Sequence, residues 1–181
     1  NKIAIGYVVG LDYANPWLSP FEEFQRWKTH PNISWYFKND KGEVNAKRLG
    51  YGARAITAGG LMSLPKTVFP GGALVGCDAG YLNVSRIKGS HAAIKTGMLA
   101  ADAAYDAILA GRQHDELSAY PQAFEASWLH TELNKSRNFK TWFKKGLTIA
   151  TLMNGLEQFV LHGHIPWTLR RDKADHTYLQ P

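Results

Sequence analysis

Hydrophobic and polar positions divide this chain into stretches of different period. Residues 3–9, Ile-Ala-Ile-Gly-Tyr-Val-Val, are rich in β-branched and aromatic side chains and predict a strand. Asp12-Tyr13-Ala14-Asn15-Pro16 is a turn. A helix start follows: Ser19 can cap, Pro20 suits the first helical position, and Glu22 three residues on completes a capping box. Phe21, Phe24 and Trp27 fall at i, i+3 and i+6, share a face, and predict a core-facing stripe. Pro31 ends that helix. Residues 38–48 are polar, with a turn at Asn39-Asp40-Lys41-Gly42, and read as a surface hairpin or loop. Tyr51 to Ile56 reads as a short strand containing Arg54.

The stretch from Phe69 to Tyr105 organises the rest. Pro70-Gly71-Gly72 is a turn, Ala73-Leu74-Val75 a short strand, and Gly76-Cys77-Asp78-Ala79-Gly80 a loop. A long small-residue helix runs from about Ser90 to Leu109 and is closed by Gly111 as a C-cap. Ala93, Gly97 and Ala101 are spaced by four, which lets a helix approach a sheet or a cofactor closely; Ile94, Met98, Tyr105 and Ile108 form a bulkier strip. Residues 118–138 predict another helix, with Phe124, Trp128 and Leu133 apolar. Glu132 and Arg137 on it are spaced by five, a poor helical ion pair, and read as structural. Gly146 to Leu161 is apolar for about a dozen residues, short of the ~20 a spanning helix needs. It is either a core helix or one lying in a membrane interface, and its basic flanks and Trp167 favour the interface.

Strand, acidic loop, glycine and helix is a build that can hold a large cofactor, although many α/β folds share it with none. Glycines allow close backbone approach. The Asp78 carboxylate can accept hydrogen bonds from sugar or ribityl hydroxyls. The amides of Gly89, Ser90 and His91 open a helix and favour negative charge. The His91 side chain could donate to a cofactor, or cap and pack. No complete dinucleotide fingerprint, G-x-G-x-x-G, occurs.

Composition narrows the classes. The 181 residues are 45% hydrophobic and 20% charged, as in ordinary globular proteins. The single cysteine, Cys77, can hold neither an iron–sulfur cluster nor an internal disulfide, which fits a reducing compartment. It reads as a small strand-end residue rather than a reactive thiol. His162 and His164 lack a third ligand, so no metal site is expected. Net charge is +6, with Lys140, Lys144, Lys145, Arg170, Arg171 and Lys173 clustered late in the chain around the apolar segment. Such flanks suit an anionic membrane surface better than nucleic acid, for which no binding motif is present; a solvated basic face is the alternative on charge alone. Asn1 is not a methionine and Gln180-Pro181 closes the chain abruptly, so the ends read as cuts through a longer protein.

Asp78-Ala79-Gly80, Asn83, Gly89, Ala92-Ala93, Gly97 and Ala100-Ala101 resemble the second FAD-contacting segment of the flavoproteins that include geranylgeranyl reductases and aromatic hydroxylases. A fuller set is similar to the electron transfer flavoprotein–ubiquinone oxidoreductase family. It comprises Gly10-Leu11-Asp12-Tyr13, Asn15-Pro16, Leu18-Ser19-Pro20-Phe21, Glu23 to Lys28, Tyr51 to Ala55, Gly59-Gly60, Pro65-Lys66, Phe69 to Gly72, Gly76-Cys77, Asn83-Val84, Ile87-Lys88-Gly89, His91, Glu132-Leu133, Arg137-Asn138 and Pro166 to Leu169. Thr57 stands where many members carry Asn, and Asp78 where some carry a small polar residue.

The resemblance implies an α+β (mixed α/β) fold, part of an FAD-binding flavoprotein with a quinone-binding subdomain and a helical C-terminal part. Residues 1–48 would belong to the quinone-binding domain, 49–112 to the C-terminal part of the FAD-binding domain, and 113–181 to a helical segment with a membrane-facing helix. It implies an electron-transferring-flavoprotein dehydrogenase, passing electrons from reduced electron transfer flavoprotein through FAD and a [4Fe–4S] cluster to ubiquinone. The ADP-binding motif and the cluster ligands would lie outside these residues, so the isolated chain is expected to be inactive. Cofactor contacts would come from Gly76, Asp78, Gly80, Gly89, Ser90 and His91, and the quinone and membrane border from Leu152, Leu156 and Phe159. No acid–base catalyst and no metal ligand is expected. The location would be monotopic on an inner membrane, at the bacterial cytoplasmic or mitochondrial matrix face. Alternatives are another flavin reductase of the geranylgeranyl-reductase-like superfamily, or a non-catalytic membrane-surface module.

Overall fold

The computed structural model describes residues 2–11 and 13–170. The expectations placed on Asp12, Arg171, Lys173 and the two chain ends lie outside the described residues. What is described is helix-rich with one small antiparallel sheet, an α+β arrangement. It falls into two units, one running up to Ala53 and the other from Arg54 onward.

In the first unit, helix α1 (Pro20–Lys28) starts where its cap signals place it. The Ser19 hydroxyl accepts the Glu22 amide at 3.3 Å, and acidic residues occupy the first turn and basic ones the last. Thr29 caps the far end, its hydroxyl donating to the Arg26 carbonyl at 2.7 Å. Pro31 does not itself stop this helix. It is the first residue of the short helix α2 (Pro31–Ser34), where a missing amide hydrogen costs nothing.

Lys38 and Val44 pair in a single bridge that closes the Asn39–Gly42 turn, as the hairpin reading expects. Residues 3–9 are not a strand: no described segment pairs with them, and a lone strand leaves its backbone groups without ladder partners. Tyr7 instead stacks on Phe24, with ring centroids 5.8 Å apart. The stripe of Phe21, Phe24 and Trp27 is not a core. No residue of α1 is buried, and Phe21 is half-exposed, edge-on to Tyr51 at 6.1 Å. The strand expected at Tyr51–Ile56 is irregular chain.

The second unit has the buried core. A hairpin of β1 (Val68–Phe69) and β2 (Gly72–Ala73) turns at Pro70-Gly71, with Gly71 at φ +77°, a left-handed value that favours glycine. The strand expected over Ala73–Val75 is shorter than its apolar run, because its only partner is two residues long. The loop expected at Gly76–Gly80 is a helical turn, α3 (Gly76–Ala79), stopped by Gly80 at φ +102°. Helix α4 (Ser90–Leu109) has the predicted bounds, and Gly111, at φ +67°, follows its last turn.

The buried row of α4 is Ala92, Thr96, Ala103 and Ala107, not Ala93, Gly97 and Ala101. The latter row stays partly open, and a Cβ on Gly97 would meet nothing within 4 Å. The single helix expected over 118–138 is two, α5 (Ala119–Glu125) and α6 (Trp128–Lys135). Ser127 breaks them: its hydroxyl donates to the Phe124 carbonyl and takes the His130 amide as a new N-cap. Tyr81, Tyr120, Phe124, Leu129 and Leu133 pack on the buried row of α4 as one cluster. Burial pushes the Tyr120 hydroxyl well above its ordinary pKa, with Tyr81 adding to the shift, so it stays a proton donor, here to the Leu74 carbonyl at 3.1 Å. The second unit continues through α7 (Phe139–Trp142), one tight turn at Phe143–Lys145, α8 (Leu147–Gly155) and a wider helical turn over Leu156–Val160.

Candidate functional site

The six residues singled out for a cofactor gather around α3 and the start of α4. Gly76 sits at φ +69°; its amide donates to the Thr96 hydroxyl at 3.0 Å, and a Cβ would press on Ala93 at 3.3 Å. Gly89 is closer still: a Cβ there would lie 2.3 Å from Cys77 Sγ and 2.9 Å from Leu82 Cδ1. The approach of α3 to the start of α4 therefore depends on glycine at 89. Asp78 projects outward, with its carboxylate held 2.9 Å from Arg54 Nη2 and both side chains exposed. That contact gives Arg54 a role its sequence context left unassigned. Thr57 donates from its hydroxyl to the Cys77 carbonyl at 2.9 Å, on the same turn.

The start of α4 is clamped from one side. His91 does not point its ring away from the fold: Nε2 lies 2.9 Å from Glu132 Oε1, and the ring stacks on Trp128. The same Glu132 oxygen accepts Asn83 Nδ2 at 2.7 Å. One carboxylate thus ties α6 to both ends of the 83–91 loop, in which Ile87 sits at φ +51°. Burial pushes the Glu132 carboxyl up. The hydrogen bonds from Asn83 and His91, with the charges of His91 and Arg86, outweigh it and hold its pKa below the ordinary value. A cavity of about 260 Å³ opens here, lined by Arg86, Lys88, Ser90, His91 and Glu132. Glu132 and Arg137, whose spacing of five makes a poor helical ion pair, hold different parts of the fold. Arg137 instead donates to the carbonyls of Asn134, Ile165 and Trp167 and to the Thr168 hydroxyl.

Helix α8 and the turn after it form the second part. Ordinary surface helices hide apolar residues and expose polar ones. This one does the reverse. Its inward positions are Ala150, Asn154 and Glu157, the last with no exposed surface. Its outward positions include Leu152, 69% exposed, and Phe159, 80% exposed, with Leu147, Ile149, Leu156 and Val160 also exposed.

Glu157 Oε1 accepts three N–H groups: Asn138 Nδ2 at 3.0 Å, Trp142 Nε1 at 3.0 Å and Trp167 Nε1 at 2.7 Å. Its Oε2 and the Asn154 Oδ1 are buried without a partner. The sequence marks Glu157 only as an interruption of an apolar run. Its spacing from Ala150 and Asn154, by seven and three, was the available signal that all three share one helical face. No helix of the described residues is long and apolar enough to cross a membrane.

The site residues chosen from sequence thus form two groups in the second unit, the α3–α4 glycine turn and the outward strip of α8.

Residues 1–56 match a family model described as "ETF-QO, ubiquinone-binding". Over 99% of its length the chain is 52% identical to the electron transfer flavoprotein-ubiquinone oxidoreductase of Pseudomonas aeruginosa, covering 32% of that protein. It is 39% identical, over its full length, to the mitochondrial protein of that name from Dictyostelium discoideum, covering 31% of it. Against the human mitochondrial protein the figures are 39% identity, 99% of this chain and 29% of the relative. The chain spans about a third of the length of the relatives it matches. Aligned from one end to the other with such relatives, it belongs to the electron transfer flavoprotein–ubiquinone oxidoreductase family.

Proposed function

We propose that the protein to which these residues belong oxidises reduced electron transfer flavoprotein and passes the electrons through FAD to ubiquinone at a membrane surface. The observation that carries this reading is the end-to-end match to relatives bearing that name, together with the ubiquinone-binding model on residues 1–56. Within it, residues 1–48 are part of the quinone-binding domain, 49–112 of the FAD-binding domain, and 113–181 carry the membrane-facing helix.

The residues around α3 and α4 suit one wall of an FAD site. Gly89 brings the opening amides of α4 against the α3 turn, where a Cβ would not fit. The amides of Ser90 and His91, at the positive end of a 20-residue helix, would lie near the pyrimidine edge of the flavin. Asp78 and Gly80, with Gly76 behind them, would face the ribityl and pyrophosphate part. Bound FAD supplies the redox chemistry; the protein's part is to position it and set the local field. His91 serves through its backbone, because its ring is held by Glu132. The chain's one cysteine cannot ligate a [4Fe–4S] cluster, so no role of these residues runs through one.

Leu152, Leu156 and Phe159 make the quinone and membrane border. An outward face of this kind suits a monotopic protein at an inner membrane better than one surrounded by water, since single exposed apolar residues are common but a run of them on one helix is not. The test is steady-state oxidation of reduced electron transfer flavoprotein by the full-length protein with a water-soluble ubiquinone analogue, alongside its flavin content. Turnover with about one FAD per polypeptide is expected. Flavin-free protein, or flavin-bound protein that leaves the reduced donor unoxidised, would refute the reading.

A further inference from the structure

We propose that Glu132 is a positioning residue for the flavin: by gripping Asn83 and the His91 side chain it fixes where the opening amides of α4 stand, and so how strongly they favour the reduced cofactor. This rests on the FAD reading above and deepens it, since that reading gives Glu132 no part in the redox chemistry.

The start of α4 carries no cap of its own. Its N-cap is Gly89, and no side chain bonds to the first amides. A Ser or Asp cap would both occupy those donors and hold them in place. Without one, the amides can face a ligand, and their position is set from outside the helix.

Three sets of contacts fix it. On the α3 side, Gly89 packs so closely that a Cβ would fall 2.3 Å from Cys77 Sγ. Within the loop, Asn83 and Lys88 pair through their backbones, with the Asn83 amide 3.0 Å from the Lys88 carbonyl. On the α6 side, Glu132 Oε1 accepts Asn83 Nδ2 at 2.7 Å and His91 Nε2 at 2.9 Å. Ser85 donates to Asn83 Oδ1 at 2.8 Å, which turns the Asn83 amide nitrogen toward Glu132. Glu132 rises from a firm base, because Leu129 and Leu133 on the same turn of α6 are buried in the core. Its lowered pKa keeps it an anion at neutral pH, so both bonds are charge-assisted. It is the one carboxylate among the residues lining the cavity, which it shares with Arg86, Lys88 and His91.

The loop does not rest in this shape unaided. Ile87 stands at φ +51°, a left-handed value that is costly for a β-branched side chain. Such strain persists only where the surroundings over-determine it. Releasing the Glu132 end lets Ile87 relax and carries Gly89, Ser90 and His91 with it. Fixed dipoles stabilise charge only while they are aimed at it, so that movement weakens the preference for reduced flavin.

The experiment is an anaerobic spectroelectrochemical titration of the flavin in the full-length protein, with flavin content and melting temperature measured beside it. The variants are Glu132→Leu, Glu132→Gln, His91→Phe, the pair Glu132→Leu with His91→Phe, and Leu133→Ala. Glu132→Leu should lose about tenfold of the preference for reduced flavin, a fall of about 30 mV for a two-electron couple. Glu132→Gln keeps an acceptor oxygen and should lose less than about threefold. His91→Phe can still stack on Trp128 but gives Glu132 no donor, and should shift the potential the same way. The paired variant should fall no lower than Glu132→Leu alone, because His91 acts through Glu132. Leu133→Ala weakens the same helix without touching the clamp. It should lower the melting temperature and leave the potential in place.

Flavin-bound Glu132→Leu with the parent potential would overturn the inference and leave the FAD reading intact. So would an equal shift in Leu133→Ala, which would reduce Glu132 to a stability role, or additive shifts in the paired variant. Should Glu132→Leu retain no flavin, His91→Phe decides, and the parent potential there would overturn the inference. A parent protein without flavin would overturn the FAD reading and this inference with it.

Discussion

Replacing Glu157 by leucine tests how the inward side of α8 is held. The change removes the one acceptor shared by Asn138 Nδ2, Trp142 Nε1 and Trp167 Nε1. A buried donor left without a partner costs about 1–3 kcal/mol. The three donors are not equally exposed to that cost. Asn138 keeps a second bond, from the same Nδ2 to the Trp167 carbonyl at 3.3 Å, and Trp167 is only partly buried and can turn toward water. Trp142 is buried and has no such recourse in these contacts. The expected loss is therefore about 3–4 kcal/mol rather than the full sum for three donors.

Leucine also fills the space with apolar volume, which limits any cavity term. The glutamine variant keeps a carbonyl oxygen for the same three donors. It should cost less than about 1 kcal/mol. Hydrogen–deuterium exchange of the segment spanning α7 and α8 reads this locally, which matters in a protein with more than one unit. Exchange should accelerate by about two to three powers of ten in Glu157→Leu and by less than about tenfold in Glu157→Gln. Unchanged exchange in the leucine variant would refute the reasoning. So would equal acceleration in both, which would mean charge rather than hydrogen-bond acceptance holds the helix.

Gly89→Ala should shift the start of α4 away from Cys77 and Leu82, costing about 1–3 kcal/mol in thermal denaturation and lowering retained flavin. Adding Cys77→Ala should restore part of that stability, because it removes the nearer of the two clashes. Phe159→Ser should leave stability within about 0.5 kcal/mol of the parent, since the ring is 80% exposed, as calorimetry would show. The depressed pKa of Glu132 stabilises the fold above its ordinary titration range, and that contribution is lost as pH falls through the lower folded-state value. Once the intrinsic slowing of amide exchange in acid is divided out, protection in the 83–91 loop should therefore fall on acidification below about pH 5, and Glu132→Gln should flatten that dependence.

What the sequence disclosed was local. The start of α1 follows from Ser19, Pro20 and Glu22, and both ends of α4 from Gly89 and Gly111, because caps act over three or four residues. Strand expectations at 3–9 and 51–56 failed because apolar β-branched content does not supply a partner, and the described chain offers none. The helix over 118–138 split at Ser127, whose hydroxyl bonds to backbone on both sides of the break.

The glycines of the candidate cofactor turn were visible in the sequence, but the close approach of Gly89 to Cys77 and Leu82 shows only in the fold. The Glu132 clamp was not, since Asn83 and His91 lie 49 and 41 positions away in sequence. The inverted polarity of α8 was hidden for a related reason. A nearly uniform apolar run does not reveal which face is inside until the partners of Glu157, 10 to 19 positions away, are in place.

The most direct test of electron transfer to ubiquinone is a single-turnover experiment on the anaerobic full-length protein. Reduced electron transfer flavoprotein is added first and ubiquinone second, while the visible spectrum is followed. The account predicts an oxidised flavin spectrum at the start, bleaching on addition of the donor, and recovery when the quinone is supplied. A protein without flavin absorption, or one whose flavin does not respond to the donor or is not reoxidised by the quinone, would contradict it.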